Sequence, residues 1–223
     1  MHVCMLPWVG TRAMRLSNSE HESRAWRIGE VAPDFRLEDA WALPAEGGVE
    51  DFATLLEVMA ALDPSNAGSC ATRALFAIRY RVGGWLGWDD TPRPLAIPDD
   101  TETTLSSRLP EDLRNTAPGS GLRSKAFTPL YRTDVEWAAE LSNRTVHAVM
   151  HLAWVEQGDG LYRGQMGVYV KPRGGFGAAY MAAIAPFRHR VVYPALMRQI
   201  ERAWNARMAR QSRAGSSTAP AAR

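Results

Sequence analysis

The sequence predicts an α+β domain in which a curved antiparallel sheet wraps around a long C-terminal helix. Three stretches between residues 127 and 172 alternate apolar and polar side chains, as half-buried strands do. From residue 176 to about residue 210, apolar side chains recur at helical spacing. Two shorter stretches with helical spacing precede the strands. The sheet needs a helix to bury its inner face, and the long helix follows it directly.

The length and composition of the chain are typical of one globular domain. It has 223 residues, of which 46% are hydrophobic and 22% are charged. No apolar run approaches the roughly 20 residues that cross a bilayer, and the first residues do not resemble a secretory signal. Two cysteines fit a reducing compartment. The sequence therefore predicts a cytoplasmic protein with no membrane span.

The charged residues are distributed unevenly. Residues 1–27 carry four Arg and two Glu, and residues 198–223 carry six Arg and one Glu. Of the 26 basic and 24 acidic residues in the chain, 16 basic and 21 acidic ones therefore lie between these ends. Because nucleic-acid binders usually carry a basic patch on the folded surface, this distribution predicts no nucleic-acid partner.

Two terminal segments lack the periodicity of packed elements. Residues 1–25 contain a polar run, and residues 211–223 consist mostly of Ser, Ala, Gly, Pro and Arg. We interpret the first segment as a poorly ordered N-terminal extension and the second as a disordered tail. The sequence thus predicts a single domain over residues 26–210.

The first half of this domain is predicted to contain a short strand and two helices. Residues 34–38 alternate like a strand, and residues 49–62 are apolar at helical spacing and end before a Pro. Residues 71–82 have a second helical pattern, which ends at two Gly. Residues 87–125 show little periodicity, which predicts either a covering flap or short hidden strands.

The second half is predicted to contain three strands and the long helix. The alternating residues are 135–141, 146–154 and 161–172, and the tight turns between them predict an antiparallel meander. A glycine turn, Gly174 and Gly175, then leads into the helix. The order strand, two helices, antiparallel strands and C-terminal helix is that of a helix-grip fold, which often leaves a cavity between sheet and helix.

Several segments resemble one bacterial family. They are residues 73–79, 145–151, 168–173 and 176–192. Over residues 26–204 the chain resembles an uncharacterised domain-of-unknown-function family of the START-like (SRPBCC, polyketide-cyclase-like) superfamily. The resemblance implies the helix-grip fold and leaves the activity open.

Polar residues on the long helix form the best candidate site. Pro186 and Pro194 remove helix hydrogen bonds and predict a bend there. Four polar residues lie near this bend: Tyr180, Arg188, His189 and Tyr193. Because a buried Arg or His needs an acceptor, we predict that they bind the polar end of a ligand. Surface or interface contacts are the alternative role.

The other polar residues predict no metal and no cofactor. His147 and His151 lie on one face of a strand, roughly 13 Å apart, too far to bind one metal ion. The glycine turn before the helix has Tyr180 where a dinucleotide loop needs its third Gly. Further polar residues share the faces of neighbouring strands: Glu136, Glu140, Arg163, Gln165 and Lys171. We interpret them as a solvated ladder of cross-strand pairs.

These patterns predict binding of a small hydrophobic or amphipathic molecule in a cavity between the sheet and the C-terminal helix. Eight Trp and nine Met are available to line such a cavity. One alternative is a cyclase- or dehydratase-like enzyme for a polyketide-like substrate, using His189, Tyr180 or an acidic residue of the flap. Another is a structural or regulatory domain with a filled cavity.

Overall fold

A computed structural model describes residues 11–62, 104–116, 127–142 and 146–217. The strands are β1 (Met14–Leu16), β2 (Arg36–Gly47), β3 (Thr128–Arg132), β4 (Glu136–Ser142), β5 (Val146–Gly158) and β6 (Leu161–Pro172). They form one antiparallel sheet with the spatial order β1-β2-β6-β5-β4-β3. With the long C-terminal helix, this curved sheet confirms the predicted α+β fold.

Short helices surround the sheet, and the C-terminal helix is interrupted once. The α-helices are α1 (Asn18–Glu22), α2 (Ile28–Val31), α3 (Phe52–Ala61), α4 (Glu111–Arg114), α5 (Gly174–Phe187) and α6 (Tyr193–Ser217). A π-helical turn, Arg188–Val192, joins α5 to α6. Within the described residues, no helix combines the length and the apolar character needed to cross a membrane. The helix predicted over residues 71–82 lies outside the described residues, as does most of the predicted flap.

Helices α3 and α6 cover the inner face of the sheet. The inner core consists of Leu43, Ala45, Phe52, Leu55, Leu56, Val58, Met59, Trp137, Ala139, Leu152, Trp154, Met166, Tyr193, Met197, Ile200 and Trp204. Strand residues of this set alternate with outward-facing ones, as predicted for β4, β5 and β6. Side chains of the inner core therefore fill the space between the sheet and α6.

A smaller apolar cluster lies between α5 and the sheet. This upper cluster consists of Val146, Ala148, Val170 and Met181, with Leu141, Val168, Tyr180 and Ile184 packed half-buried against it. It extends the inner face beyond the inner core. The cavity predicted between the sheet and the C-terminal helix stays a prediction.

The outer face of the sheet is also covered, contrary to the prediction of a solvated face. The outer core consists of Leu16, Ile28, Val31, Ala32, Phe35, Leu37, Ala40, Ala42, Leu105, Leu109, Leu113, Leu130, Tyr131, Ala138, Val149 and Tyr169. It is built by Leu16 of β1, by α2 and the residues that follow it, and by residues 105–113, which pack on the strands. Three of the residues assigned to a solvated ladder, Glu136, Glu140 and Gln165, are consequently buried.

Parts of the two terminal segments, within the described residues, form regular structure that their composition does not predict. Strand β1 pairs with β2 over Met14 to Leu16, inside the segment predicted to be a poorly ordered extension. Helix α6 continues to Ser217, inside the predicted tail. A three-residue strand is too short to produce a recognisable period, so the order of β1 depends on its pairing with β2.

Candidate functional site

One carboxylate on the inner face of the sheet has no exposed surface. This carboxylate belongs to Asp39 of β2. Leu37 pairs with Tyr169 of β6, and Asp39 pairs with the adjacent residue, Val168, so that Glu38 is left without a partner in the strand pairing. Such a β-bulge reverses the side to which the following residues point. It turns Asp39 toward the C-terminal helix, whereas strict alternation from Leu37 would place it on the outer face.

Four polar side chains contact the Asp39 carboxylate. Nε2 of His189 lies 2.5 Å from Oδ1, and the hydroxyl of Tyr193 donates a hydrogen bond to Oδ2 at 2.9 Å. Nη2 of Arg188 lies 3.2 Å from Oδ2. Nη2 of Arg15, on β1, lies 3.4 Å from Oδ1. We call Asp39, Arg188, His189 and Tyr193 the Asp39 site.

The π-helical turn brings the helix residues of this site together. In an α-helix the carbonyl of Arg190 would accept from residue 194, but Pro194 has no N–H to donate. Here the backbone N–H of Tyr193 donates to the carbonyl of Arg188, five residues earlier. The wider turn places Tyr193 over Arg188, so that both side chains reach the same carboxylate. The bend predicted between Pro186 and Pro194 corresponds to this turn.

Burial decides the protonation of Tyr193. Burial, followed by the neighbouring Asp39 charge, raises the pKa of the Tyr193 phenol well above its usual value. Tyr193 therefore stays a hydrogen-bond donor at neutral pH. The side chain of His189 is 28% exposed, and within the described chain only its Nε2 is hydrogen-bonded. An imidazole held by a carboxylate through one nitrogen can accept a proton at the other.

Arg188 retains donors that the carboxylates do not use. Its side chain is 13% exposed, and Nη2 contacts Asp39 and, at 3.5 Å, Glu38. Nη1 donates to the sulfur of Met181 at 3.8 Å, and a thioether is a weak acceptor. The buried Nε has no hydrogen-bond partner in the described structure. An unsatisfied buried donor costs about 1–3 kcal/mol, so an acceptor placed beside Nε would be stabilising.

Three of the four residues predicted as a site meet at Asp39, and the fourth does not. Arg188, His189 and Tyr193 surround the carboxylate. Tyr180 lies two turns earlier and packs against the upper cluster. Asp39 was not among the predicted site residues, because the first strand was predicted to end at residue 38, which is the bulge residue. The adjacent acidic pair, Glu38 and Asp39, leading into an apolar run was the available signal.

A second polar cluster lies on the outer face. We call His21, Tyr131, Glu136, His151 and Gln165 the outer network. Hydrogen bonds form two groups within it, and an edge-on contact between the rings of His21 and His151 joins these groups. Glu136 accepts from the hydroxyl of Tyr131 at 3.1 Å, and Nε2 of His151 lies 3.1 Å from the same oxygen. The backbone N–H of Arg27 donates to the same carboxylate. Nδ1 of His21 lies 3.0 Å from Oε1 of Gln165. This network fastens the N-terminal segment to the sheet.

The two histidines of β5, His147 and His151, contact different carboxylates, in agreement with their predicted separation along the strand. His151 contacts Glu136, and Nε2 of His147 lies 2.8 Å from Oε2 of Glu140. Burial disfavours the charge on Glu140, but hydrogen bonds from His147, Thr104 and the backbone of Leu105 outweigh it and lower the pKa of Glu140. Both pairs therefore stabilise the packing of the outer face, and neither is open to a ligand.

The outer network predicts acid sensitivity. Burial, followed by the charge of His151, lowers the pKa of His21 from 6.5 to about 4. The unfolded chain then binds more protons than the folded one between these values, so stability is complete above pH 6.5 and falls as the pH drops toward 4. The expected loss from this group is roughly 3 kcal/mol.

Urea titrations of the wild type and of His21→Gln across this pH range measure the contribution. We expect the variant to have the smaller pH dependence, because Gln does not titrate. Equal pH dependence in the two proteins would show that His21 is accessible to protons in the folded state.

No group of three or more His, Cys, Asp or Glu with metal-binding geometry occurs among the residues described here.

A family model with the description "Protein of unknown function (DUF2867)" matches residues 31–195. The matched range contains all four residues of the Asp39 site but begins after Arg15 and His21. No curated protein and no solved structure matches the chain.

Proposed function

The chain belongs to the family described as "Protein of unknown function (DUF2867)", and from the geometry of its Asp39 site we propose that it binds a small amphipathic molecule. The polar end of this ligand meets Arg188, and its apolar body lies on the upper cluster beneath α5. As part of the same proposal, the chain is a START-like protein, which the order of sheet and C-terminal helix supports.

The observation that carries the proposal is the position of the Arg188 guanidinium. Its Nη2 is neutralised by Asp39 and Glu38, while Nε is buried without a partner. A carboxylate, carbonyl or hydroxyl oxygen beside Nε would accept the missing hydrogen bond. Hydrogen bonds to charged groups contribute about 1.5–3 kcal/mol each, enough to orient a small molecule.

The apolar half of the proposed site adjoins this guanidinium directly. Nη1 of Arg188 contacts the sulfur of Met181, which is a buried member of the upper cluster. The half-buried Tyr180 and Ile184 continue the apolar surface along α5. In this arrangement a hydrogen-bond donor lies next to an apolar surface. It suits a molecule whose polar head carries an oxygen and whose body is an apolar chain or ring.

A second candidate function rests on His189. The contact of 2.5 Å between its Nε2 and Asp39 resembles the carboxylate–imidazole pairs that orient a general base. A cyclase- or dehydratase-like enzyme would use Nδ1 of His189 to remove a proton from a polyketide-like substrate. In this role the reacting carbon of the substrate would lie beside the exposed edge of the His189 imidazole. Arg188 would bind the polar end of the same molecule.

Binding of a dansyl-labelled medium-chain fatty acid tests the first proposal. We expect saturable fluorescence enhancement with the wild type. Arg188→Gln should weaken binding about tenfold or more, since it removes the charged donor. Arg190→Gln serves as the matched control, because Arg190 is exposed on the same π-helical turn and its loss should leave affinity unchanged.

Two results would contradict the placement of the ligand. Equal losses of affinity in the two Arg variants would show that the protein charge as a whole, and not Arg188, attracts the probe. Absence of saturable binding by the wild type would refute the fatty-acid-like ligand.

The second candidate function has a different test. Incubation of the wild type with a polyketide-like compound should yield a chemically altered compound, and His189→Asn should yield none.

A further inference from the structure

The outward face of α6 carries four arginines, which we call the basic face: Arg198, Arg202, Arg210 and Arg213. At 3.6 residues per turn they fall within about 120° of the helix circumference. All four are exposed, and the exposed Ala206 and Ala209 lie between them. The basic face lies opposite the buried Ile200 and Trp204, which belong to the inner core. Helix α6 is therefore amphipathic, with arginine on its solvent side.

Three of these four arginines are not neutralised by the part of the chain that the structure describes. Arg198, Arg202 and Arg210 form no ion pair with any carboxylate in the described ranges, and Nε of Arg202 donates only to the carbonyl of Arg198. The nearby Arg207 differs, because it contacts Glu57 of α3. Residues 210–213 continue helix α6 and do not form a loose tail. Arg210 and Arg213 therefore lie on the same side of the helix as Arg198 and Arg202.

We infer that the basic face docks the protein on an anionic lipid surface. From Arg198 to Arg213 the row is about 22 Å long at 1.5 Å per residue. The small Ala206 and Ala209 leave the guanidinium groups as the most protruding part of this face. Because Arg198, Arg202 and Arg210 are exposed on one side of the helix, their long side chains can reach a flat, negatively charged plane together. Docking of this kind does not depend on the Asp39 site.

The distribution of charge favours a flat lipid surface over a nucleic acid. A helix inserted in the groove of a duplex has phosphates along both of its flanks, but the flanks of the basic face carry Glu201 and Glu57. The basic face also contains no aromatic side chain on which single-stranded bases could stack. The acidic flanks are directed away from a plane that touches only the outward face.

Vesicle co-sedimentation of the full-length chain tests this inference. We expect binding to phosphatidylcholine vesicles that contain phosphatidylserine, and little binding to vesicles of phosphatidylcholine alone. Each arginine near an anionic leaflet strengthens partition about fivefold, so Arg198→Gln with Arg202→Gln should weaken it about 30-fold. Binding should also disappear in about 1 M salt, where the Debye length is about 3 Å.

The matched control is Arg12→Gln with Arg24→Gln, which removes the same charge from exposed residues of the N-terminal segment. This control should keep wild-type partition. All four positions are exposed, so circular dichroism should be unchanged in both double variants. The inference is overturned if phosphatidylserine vesicles do not bind the protein at low salt, or if the two double variants lose partition equally. Tighter binding to a duplex oligonucleotide than to these vesicles at the same salt would also overturn it.

Discussion

Replacing Asp39 with Ala is expected to lower the free energy of unfolding by about 3–5 kcal/mol, the usual cost of removing one partner of a buried ion pair. The Asp39 carboxylate is fully buried and contacts Arg188, His189 and Tyr193. Without it, the longer contact to Glu38 is the one ion pair that Arg188 keeps within the described residues, and the Tyr193 hydroxyl loses its acceptor. Urea-induced unfolding of the variant and the wild type measures the difference.

A surface carboxylate provides the control for this experiment. Asp112 pairs with Arg27, but its side chain is 60% exposed, so Asp112→Ala should cost less than about 1 kcal/mol. Adding Arg188→Met to Asp39→Ala should restore part of the lost stability, because the unpaired buried charge is then removed. A cost for Asp39→Ala as small as that for Asp112→Ala would mean that the bulge in β2 does not bury this carboxylate.

Replacing Leu152 with Ala is expected to cost about 2–5 kcal/mol. Leu152 is fully buried at the centre of β5, and it belongs to the inner core with Trp137 of β4, Met166 of β6 and Trp204 of α6. The variant loses the transfer free energy of the removed carbons and leaves a space that three large side chains surround. Chemical denaturation at fixed pH measures the change.

Leu161→Ala is the matched control for the second experiment. Leu161 begins β6 and is 43% exposed, so the same substitution there should cost well under half as much. If the two substitutions have similar effects, the phase of β5 relative to the C-terminal helix is wrong, and the inner core is packed differently.

Local periodicity accounts for the elements that the sequence predicted well. Strands predicted over residues 135–141 and 161–172 correspond to β4 (Glu136–Ser142) and β6 (Leu161–Pro172). The helix predicted over residues 49–62 contains a short 3-10 turn followed by α3. In β4 and β6 the apolar residues of the inner core alternate with residues that face outward, and in α3 apolar residues recur at helical spacing. These patterns involve residues only a few positions apart, so the sequence shows them.

Strand β2 shows where local periodicity fails. The sequence predicts a strand over residues 34–38, but β2 runs from Arg36 to Gly47. Residues 40, 42, 43 and 45 are all buried because the sheet is covered on both faces. A strand that is buried on both faces has no apolar–polar alternation. The bulge at Glu38 then shifts the phase within the same strand.

The sequence by itself determined the chain order of β2, α3, β4, β5, β6 and the C-terminal helix, the inner face of β4, β5 and β6, and three helix residues of the Asp39 site. Each of these depends on residues a few positions apart. Only the tertiary structure decided that Asp39 receives those side chains and that the outer face is buried. Such contacts join distant segments: His189 lies 150 residues from Asp39, and His21 lies 144 residues from Gln165. Periodicity identifies the residues that share a face, but the segment that covers the face depends on how the whole chain packs.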